Sequence, residues 1–353
     1  MKICKKSYFF TVILYHVVMM ATSSRIIAEA LSASASATSS IKTALITGST
    51  DGIGLTTAKN LVRKGYNVII HGRNAKRIEK AVTKVKAFGN EKNSKNINNV
   101  ALPNMNTNTN TNIYSVQADI STLNGCYTLI NTVQSILSKN NLSLDLLMNN
   151  AGVFEDKYSV TKDGLEMTFA VNVMAPFIIT SNLLPQLLMK KHPQKQHQSR
   201  VVIASSISQC FSIEPDHWND LQCQVRQYST HRAYSESKLL DAMLSAEFAT
   251  RFQNGGLLSH RITCNSLDPG TVNTKMLLAG WGPCGIDVED ALDQTWLCTS
   301  DEVKDTTGAY FNSRSLSKSA DAYRQSERQK LWDILSDIDP ASAQKWDKLK
   351  DYH

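Results

Sequence analysis

The chain has 353 residues, with a hydrophobic fraction of 42% and a charged fraction of 20%, enough apolar material for a sizeable core. Lys+Arg 38 against Asp+Glu 31 gives a net charge of +7, but the excess is scattered from Lys2, Lys5 and Lys6 to Lys92 and Lys95. That argues against a nucleic-acid footprint, which gathers Lys and Arg on one face, and the densest run, Lys190 to Arg200, reads as a solvated helix end and loop. The seven cysteines (Cys4, Cys126, Cys210, Cys223, Cys264, Cys284, Cys298) are odd in number, far apart and form no CxxC pair, so neither a disulfide framework nor a metal site is expected.

The first 40 residues have an organisation of their own. Three lysines precede an apolar run from Tyr8 to Met20, followed by small and hydroxyl residues and the sequence Ala28-Glu29-Ala30. This is the order of a secretory signal. The run falls short of the roughly 20 residues of a comfortable membrane span. Three destinies fit: a cleaved signal for the secretory pathway and endoplasmic reticulum, an uncleaved anchor that associates the protein with a membrane, or a bipartite signal to a plastid with the Ser/Ala-rich stretch from Thr22 to Ser40 as its second half.

From residue 41 the pattern changes. "TALITGSTDGIG" is a short apolar run ending in a glycine-rich turn, and "LTTAKNLVRKG" follows at helical spacing. "YNVIIHGRN" predicts a second buried strand and "AKRIEKAVTKVKAFG" a second amphipathic helix. "NIYSVQADI", "LDLLMNNAG", "RVVIASS" and "RITCNSLDPG" predict further apolar strands, with helical stretches between them. Alternating strands and helices predict an α/β fold: a single-domain Rossmann arrangement with a doubly wound parallel sheet covered by helices on both faces. Its strands bring their carboxyl ends, and the polar residues after them, to one crevice. The domain is expected over residues 41–340, with 341–353 as a tail. Within it, the Asn/Thr-rich segment 89–112 has no apolar surface to bury and is expected to be a disordered loop.

The strand ends carry the chemistry. Gly48, Gly52 and Gly54, with Ser49, Asp51 and Ile53 between them, form a turn whose amides can approach a pyrophosphate at a helix N-terminus. The second strand ends in Gly72-Arg73 with no carboxylate to bond a ribose 2′-hydroxyl, which favours NADP(H) over NAD(H), although Asp51 pulls the other way. Asp119 and Ile120 after the third strand suit an adenine site, and Asn150, Ala151 and Gly152 after the fourth let a ribose lie close; the same residues also suit a helix cap and a turn.

The stretch "QYSTHRAYSESKLL" offers two tyrosines. A phenol with an ordinary pKa of about 10 is a poor proton donor at neutrality unless a cation lowers it. Tyr234 has Lys238 four residues on, on the same helical face; Tyr228 has Arg232 at the same offset. Lysine can also bond ribose hydroxyls, and Tyr234 opens the apolar pattern Leu239, Leu240, Met243, Leu244, whereas Tyr228 falls in a loop before it. Ser205-Ser206 closes the fifth strand, where a hydroxyl could hold a substrate oxygen. Asn172 sits in an apolar helix, where a buried amide needs a specific partner.

Together "TGSTDGIG", "NNAG", "VNV", Ser206, "YSESK" and "DPGTVNT" resemble the short-chain dehydrogenase/reductase family, in the family's order, over Lys42 to Ile338. The chain is most similar to its retinol-dehydrogenase-like and protochlorophyllide-reductase-like branch. The resemblance implies Tyr234 as general acid/base and Lys238 as the group that lowers its pKa and binds the nicotinamide ribose. It implies Ser206 orienting the carbonyl, Asn172 holding a relay water, and Pro269, Gly270, Val272 and Thr274 around the nicotinamide and phosphates. The insertion "QCFSIEPDHWNDLQCQVRQYST" has its own sequence and is expected over the substrate, and the stretch after Thr274, with Met276, Leu277 and Trp281, is expected to form an apolar lid.

The expected function is therefore NADP(H)-dependent interconversion of a carbonyl and an alcohol on a small lipophilic substrate of retinoid, steroid or fatty-aldehyde type. Two alternatives stand beside it: a light-dependent reductase of a tetrapyrrole C=C bond, and a catalytically silent NADP-binding scaffold.

Overall fold

The computed structural model describes residues 41–90, 111–188, 198–255, 262–317 and 324–349. The N-terminal signal or anchor and residues 91–110 of the Asn-rich insert lie outside the described residues.

The apolar runs form strands β1 (Thr43–Ile46), β2 (Asn67–Gly72), β3 (Ile113–Gln117), β4 (Leu146–Asn149), β5 (Ser199–Ala204), β6 (Ile262–Asp268), β7 (Tyr310–Asn312) and β8 (Ser315–Ser317). They make one sheet in the order β3-β2-β1-β4-β5-β6-β7-β8, parallel except for the antiparallel β7–β8 hairpin. The strand order reverses between β1 and β4, and a crevice opens at the carboxyl ends on either side of such a reversal.

Helices cover both faces: α1 (Gly52–Arg63), α2 (Ala75–Asn90), α3 (Leu123–Lys139), α4 (Met167–Leu188), α5 (Thr230–Asn254), α6 (Lys275–Gly280), α7 (Asp293–Thr299), α8 (Gln325–Ile338) and α9 (Pro340–Asp347). Side chains alternate across a strand, so the central strands feed two cores. Leu45, Ile69, Leu147 and Val201 pack with α3, α4, α5, α8 and α9 on one side. Ile46, Val68, Ile70 and Met148 pack with α1, α2 and α7 on the other. Phe177, Phe248 and Phe252 are fully buried in the first core, each contributing roughly 1.5–3 kcal/mol of transfer free energy.

Helix α4 is apolar and long enough to cross a membrane, but it is a core helix, with 94% of its most apolar window buried. Of the stretch 341–353 set apart in the sequence as a tail, the described residues 341–349 pack on the domain. Trp346 of α9 stacks on Phe248 at 4.8 Å, and its indole N–H donates to Ser181 Oγ at 2.7 Å. Ser342, which accepts from Asn182 Nδ2 at 2.7 Å, and Leu349 are buried beside it and complete the docking.

Candidate active site

The crevice holds a cleft of about 570 Å³ that runs from the glycine turn past the end of β2 to Tyr234 and Lys238. Among its lining residues are Gly48, Asp51, Gly52, Ile53, Gly54, Arg73, Asp119, Ile120, Asn150, Ala151, Gly152, Pro269 and Thr274. Ser49, Asn172, Ser206, Gly270 and Val272 of the expected set stand behind or beside this lining.

The turn is built by its neighbours. Gly48 turns the chain at φ +63°, and a side chain there would meet the Ala151 backbone at 2.9 Å. The Thr47 hydroxyl oxygen accepts from Asn150 N–H and Ala151 N–H, both at 3.0 Å, and Asn150 Nδ2 donates to the Thr47 carbonyl at 2.9 Å. Ser49 is wholly buried, its hydroxyl donating to the Ile46 carbonyl at 2.8 Å and accepting from His71 N–H at 3.0 Å. Ser49 and the Asn150 side chain thus shape the turn from behind. The N-cap Asp51 accepts from Gly52 N–H at 3.0 Å, and its other oxygen pairs with Lys275 at the start of α6. The Lys275 ammonium holds the Asp51 carboxyl below its ordinary range.

Tyr234 and Lys238 lie on the buried face of the second and third turns of α5. Burial is the largest influence on the Tyr234 phenol and pushes it above its ordinary 10, against the Lys238 charge and a hydrogen bond with the Ser206 side chain, which both lower it. The Ser206 hydroxyl also accepts from Ser208 N–H at 3.1 Å. Lys238 Nζ donates to the Ala204 carbonyl and to Asp241 Oδ2, each at 2.8 Å. Burial is the largest single influence on the ammonium and lowers its pKa, but the Asp241 charge and hydrogen bond together with Tyr234 leave it raised.

Asn172 lies in a π-helical turn, Ala170–Met174, that opens α4 beside the site. Its Oδ1 accepts from Val153 N–H at 2.8 Å, and its Nδ2 donates to the Val153 carbonyl at 3.1 Å and to Ser237 Oγ at 2.9 Å. The amide therefore ties the strand after "NNAG" to the helix that carries Lys238. At the other side of the site the buried Asp268 carboxylate accepts backbone hydrogen bonds from Ile207 and Gly270, fixing the turn that follows Ser206.

Tyr228 is placed elsewhere. Its hydroxyl donates to the Glu155 carbonyl at 3.2 Å, and burial pushes the phenol up to about 12. Over Tyr234 instead lie Phe154 and Trp281, with ring centroids 5.4 and 5.7 Å from it, and His231 packs edge-on against both at 5.1 Å. The insertion is pinned from beneath by Glu236 of α5, which takes Arg226 Nη2 at 2.5 Å and His217 Nδ1 at 2.6 Å. The grouping Glu214, Asp216 and His217 has metal-ligand side chains, but Glu214 and His217 are engaged by Arg232 and Glu236. The six described cysteines are free thiols.

His71, Asp241 and Asp268 were not singled out in the sequence. Asp241, three residues beyond Lys238 on the same helix, had a spacing signal that could have found it; His71 and Asp268 work through partners distant in the chain.

The fold and this cleft define a nicotinamide-dependent type of α/β oxidoreductase. Residues 42–99 and 91–214 match the short chain dehydrogenase family, and the chain belongs to it. Human retinol dehydrogenase 14 is 30% identical over 318 residues, covering 83% of this chain and 84% of that protein. Human polyprenol dehydrogenase is 29% identical over 304 residues, covering 82% and 83%. Among solved structures, the Pseudomonas aeruginosa RhlG/NADP complex superposes with a TM-score of 0.56 at 21% identity, covering 77% of this chain and 94% of that one. The chain is an oxidoreductase of the retinol-dehydrogenase-like branch.

Proposed function

We propose that the protein reduces a carbonyl, or oxidises the corresponding alcohol, on a lipophilic substrate with NADP(H). The observation that carries this reading is the line Ser206, Tyr234, Lys238 at the end of a cleft that begins at the glycine turn. The cleft fits a dinucleotide: a Cβ at Gly54 would lie 2.4 Å from Asn150 Nδ2 and 2.7 Å from the Gly48 carbonyl, so only a glycine lets the helix N-terminus pack this close to the turn whose amides would meet the phosphates. When bound, the reduced nicotinamide supplies the hydride. Ser206 Oγ holds the carbonyl oxygen, Tyr234 Oη gives it a proton, and the phenolate left behind is stabilised by the Lys238 ammonium. In the reverse direction the phenolate takes the alcohol proton.

NADP(H) is supported by the end of β2, where Arg73 is joined along the cleft wall by Arg77 of α2 and no carboxylate intervenes. The charge of Asp51 is offset by Lys275. A lipophilic substrate is supported by the Phe154 and Trp281 rings over Tyr234, and by the names of the relatives, a retinol and a polyprenol dehydrogenase. The apolar run from Tyr8 to Met20 suits delivery to the secretory pathway and attachment to a membrane where such substrates dissolve.

The test is NADPH oxidation against retinoid, steroid and fatty aldehydes, with NADH alongside. Tyr234→Phe is expected to lower turnover at least about 100-fold while NADPH still binds, because the phenol acts on the proton and not on the cofactor. Turnover retained by that variant overturns the reading.

A further inference from the structure

Lys238 is the one cation in the catalytic line, and it is almost sealed from water: its side chain is 5% exposed and that of Asp241 is 1% exposed. A lysine in such a place loses its proton readily, because burial penalises the ammonium by as much as several pH units. A neutral amine would neither stabilise the Tyr234 phenolate nor donate to a ribose with full strength. What keeps the charge there must be close, buried and negative.

We propose that Asp241 is the dedicated counter-ion of Lys238, a positioning residue that holds the ammonium charged and aimed past Ala204 toward the cleft. The proposal rests on the oxidoreductase reading above and adds a fourth member, acting through Lys238, to its catalytic line.

The geometry supports it. Asp241 Oδ2 lies 2.8 Å from Nζ, one turn along the same helix, and the Ala204 carbonyl takes a second donor at 2.8 Å. That leaves the third N–H for the cleft, which Lys238 lines. Asp241 Oδ1 has no hydrogen-bond partner among the described residues. A carboxylate kept only for packing or helix structure would bond a backbone amide or a hydroxyl; this one spends its single bond on Lys238. Few other charges face the pair. On α5 there is the Tyr234 phenol, and on β6 the Asp268 carboxylate reaches Tyr234 and the thiol of Cys264 bonds Ser245. The π-helical turn Ala170–Met174 brings no titratable group, β5 brings only Ala204 and Ser205, and Arg328 of α8 engages Glu247 further along. Burial pushes the Asp241 carboxyl up while the Lys238 ammonium pulls it down, so the pair is costly to keep and its retention asks for a use.

The test is Asp241→Asn, which keeps the shape and an acceptor oxygen and removes the charge. In the reducing direction the line needs both a phenol and an ammonium. Without Asp241 each loses its proton more easily, since the same carboxylate holds the Lys238 proton and raises Tyr234. The alkaline limb of kcat/KM is expected to move acid-ward by about one pH unit or more, with activity returning as the pH is lowered. NADPH affinity, followed by fluorescence, should weaken over the same range. A profile that superimposes on wild type, or a loss equal at every pH, overturns the proposal. Thermal unfolding adds a readout that needs no substrate. Asp241→Asn strands a buried ammonium, so its Tm should fall, and adding Lys238→Met should recover most of the loss. A double variant as unstable as Asp241→Asn alone overturns the counter-ion role. Because that comparison is independent of turnover, it separates failure of this proposal from failure of the oxidoreductase reading.

Discussion

His71 Nδ1 accepts the Gly48 N–H at 3.0 Å, while its Nε2 faces the Ala118 carbonyl at 3.2 Å. The two partners demand the neutral imidazole with its proton on Nε2, and together they lash the glycine turn to the ends of β2 and β3. Burial lowers the His71 pKa from 6.5 to about 4. The unfolded chain therefore binds the proton more readily. The stability this group contributes is complete above pH 6.5 and is lost as the pH falls through about 4. The gap corresponds to roughly 3 kcal/mol. His71→Gln keeps a donor and an acceptor without the titration. Wild type minus variant stability, from urea unfolding at a series of pH values, should rise with pH across that window; a flat difference would remove His71 from the acid sensitivity of the fold.

Gly54 tests the cofactor turn. A methyl group there must push apart Asn150 Nδ2 at 2.4 Å and the Gly48 carbonyl at 2.7 Å. Both belong to the network that joins the first and fourth strand ends, so the strain moves the cradle and spares the hydrophobic core. Gly54→Ala should weaken NADPH binding at least about tenfold, the effect of 1–3 kcal/mol of overpacking. Titration of intrinsic fluorescence would register it, with far-UV dichroism unchanged.

Most of the fold was legible in the sequence because buried parallel strands are continuous apolar runs, and the runs ending in "TGSTDGIG", "NNAG" and "ASS" carried their polar ends with them. The Tyr234–Lys238 pair was legible for a local reason, a four-residue spacing on one helix. What stayed hidden depends on partners far along the chain. His71 looks like a polar strand end until Gly48 and Ala118 flank it. Asn150 lines the cleft as expected, but nothing in the sequence shows that its Nδ2 also bonds the Thr47 and Gly48 carbonyls. Residues 341–349 look like a charged tail because only Ser342, Trp346 and Leu349 among them are buried. Asp241 was hidden differently: an acid on a helix three residues past a lysine is usually a solvated pair, and only burial distinguishes this one.

Trp281 ends the α6 lid and is 40% exposed, with its ring 4.7 Å from Phe154 and 5.7 Å from Tyr234. An exposed indole over the phenol proposed to donate the proton is placed to cover an apolar substrate and keep water off it. Trp281→Ala removes a wall and no hydrogen bond to the catalytic line. We expect kcat/KM for long lipophilic aldehydes to fall about tenfold, with much smaller change for a short soluble aldehyde and none in NADPH affinity. Equal losses for both aldehydes would assign Trp281 to the lid's own packing.

Arg226 and Glu236 join the substrate-side insertion to the catalytic helix. Arg226 Nη1 and Nη2 reach Glu236 Oε1 and Oε2 at 3.0 and 2.5 Å, and His217 Nδ1 reaches Oε1 at 2.6 Å. The Asp220 carboxylate gathers the backbone N–H groups of Gln224, Val225 and Arg226 into the loop that presents the guanidinium. Glu236 is two residues from both Tyr234 and Lys238 but faces the insertion, so the helix carries the proposed catalytic pair on one face and anchors the loop with another. Removing one partner leaves the other charge buried. Arg226→Leu should therefore cost about 3 kcal/mol or more, whereas Arg226→Leu with Glu236→Leu should recover much of it, since a buried pair is often matched by apolar residues of similar volume. Urea unfolding of the two variants measures the difference. The single variant should also be cut by protease within 211–229 faster than wild type, and lose substrate affinity before it loses NADPH affinity. A single variant with wild-type stability would show that the insertion is held by its apolar residues, Ile213, Trp218 and Cys223, and not by the ion pair.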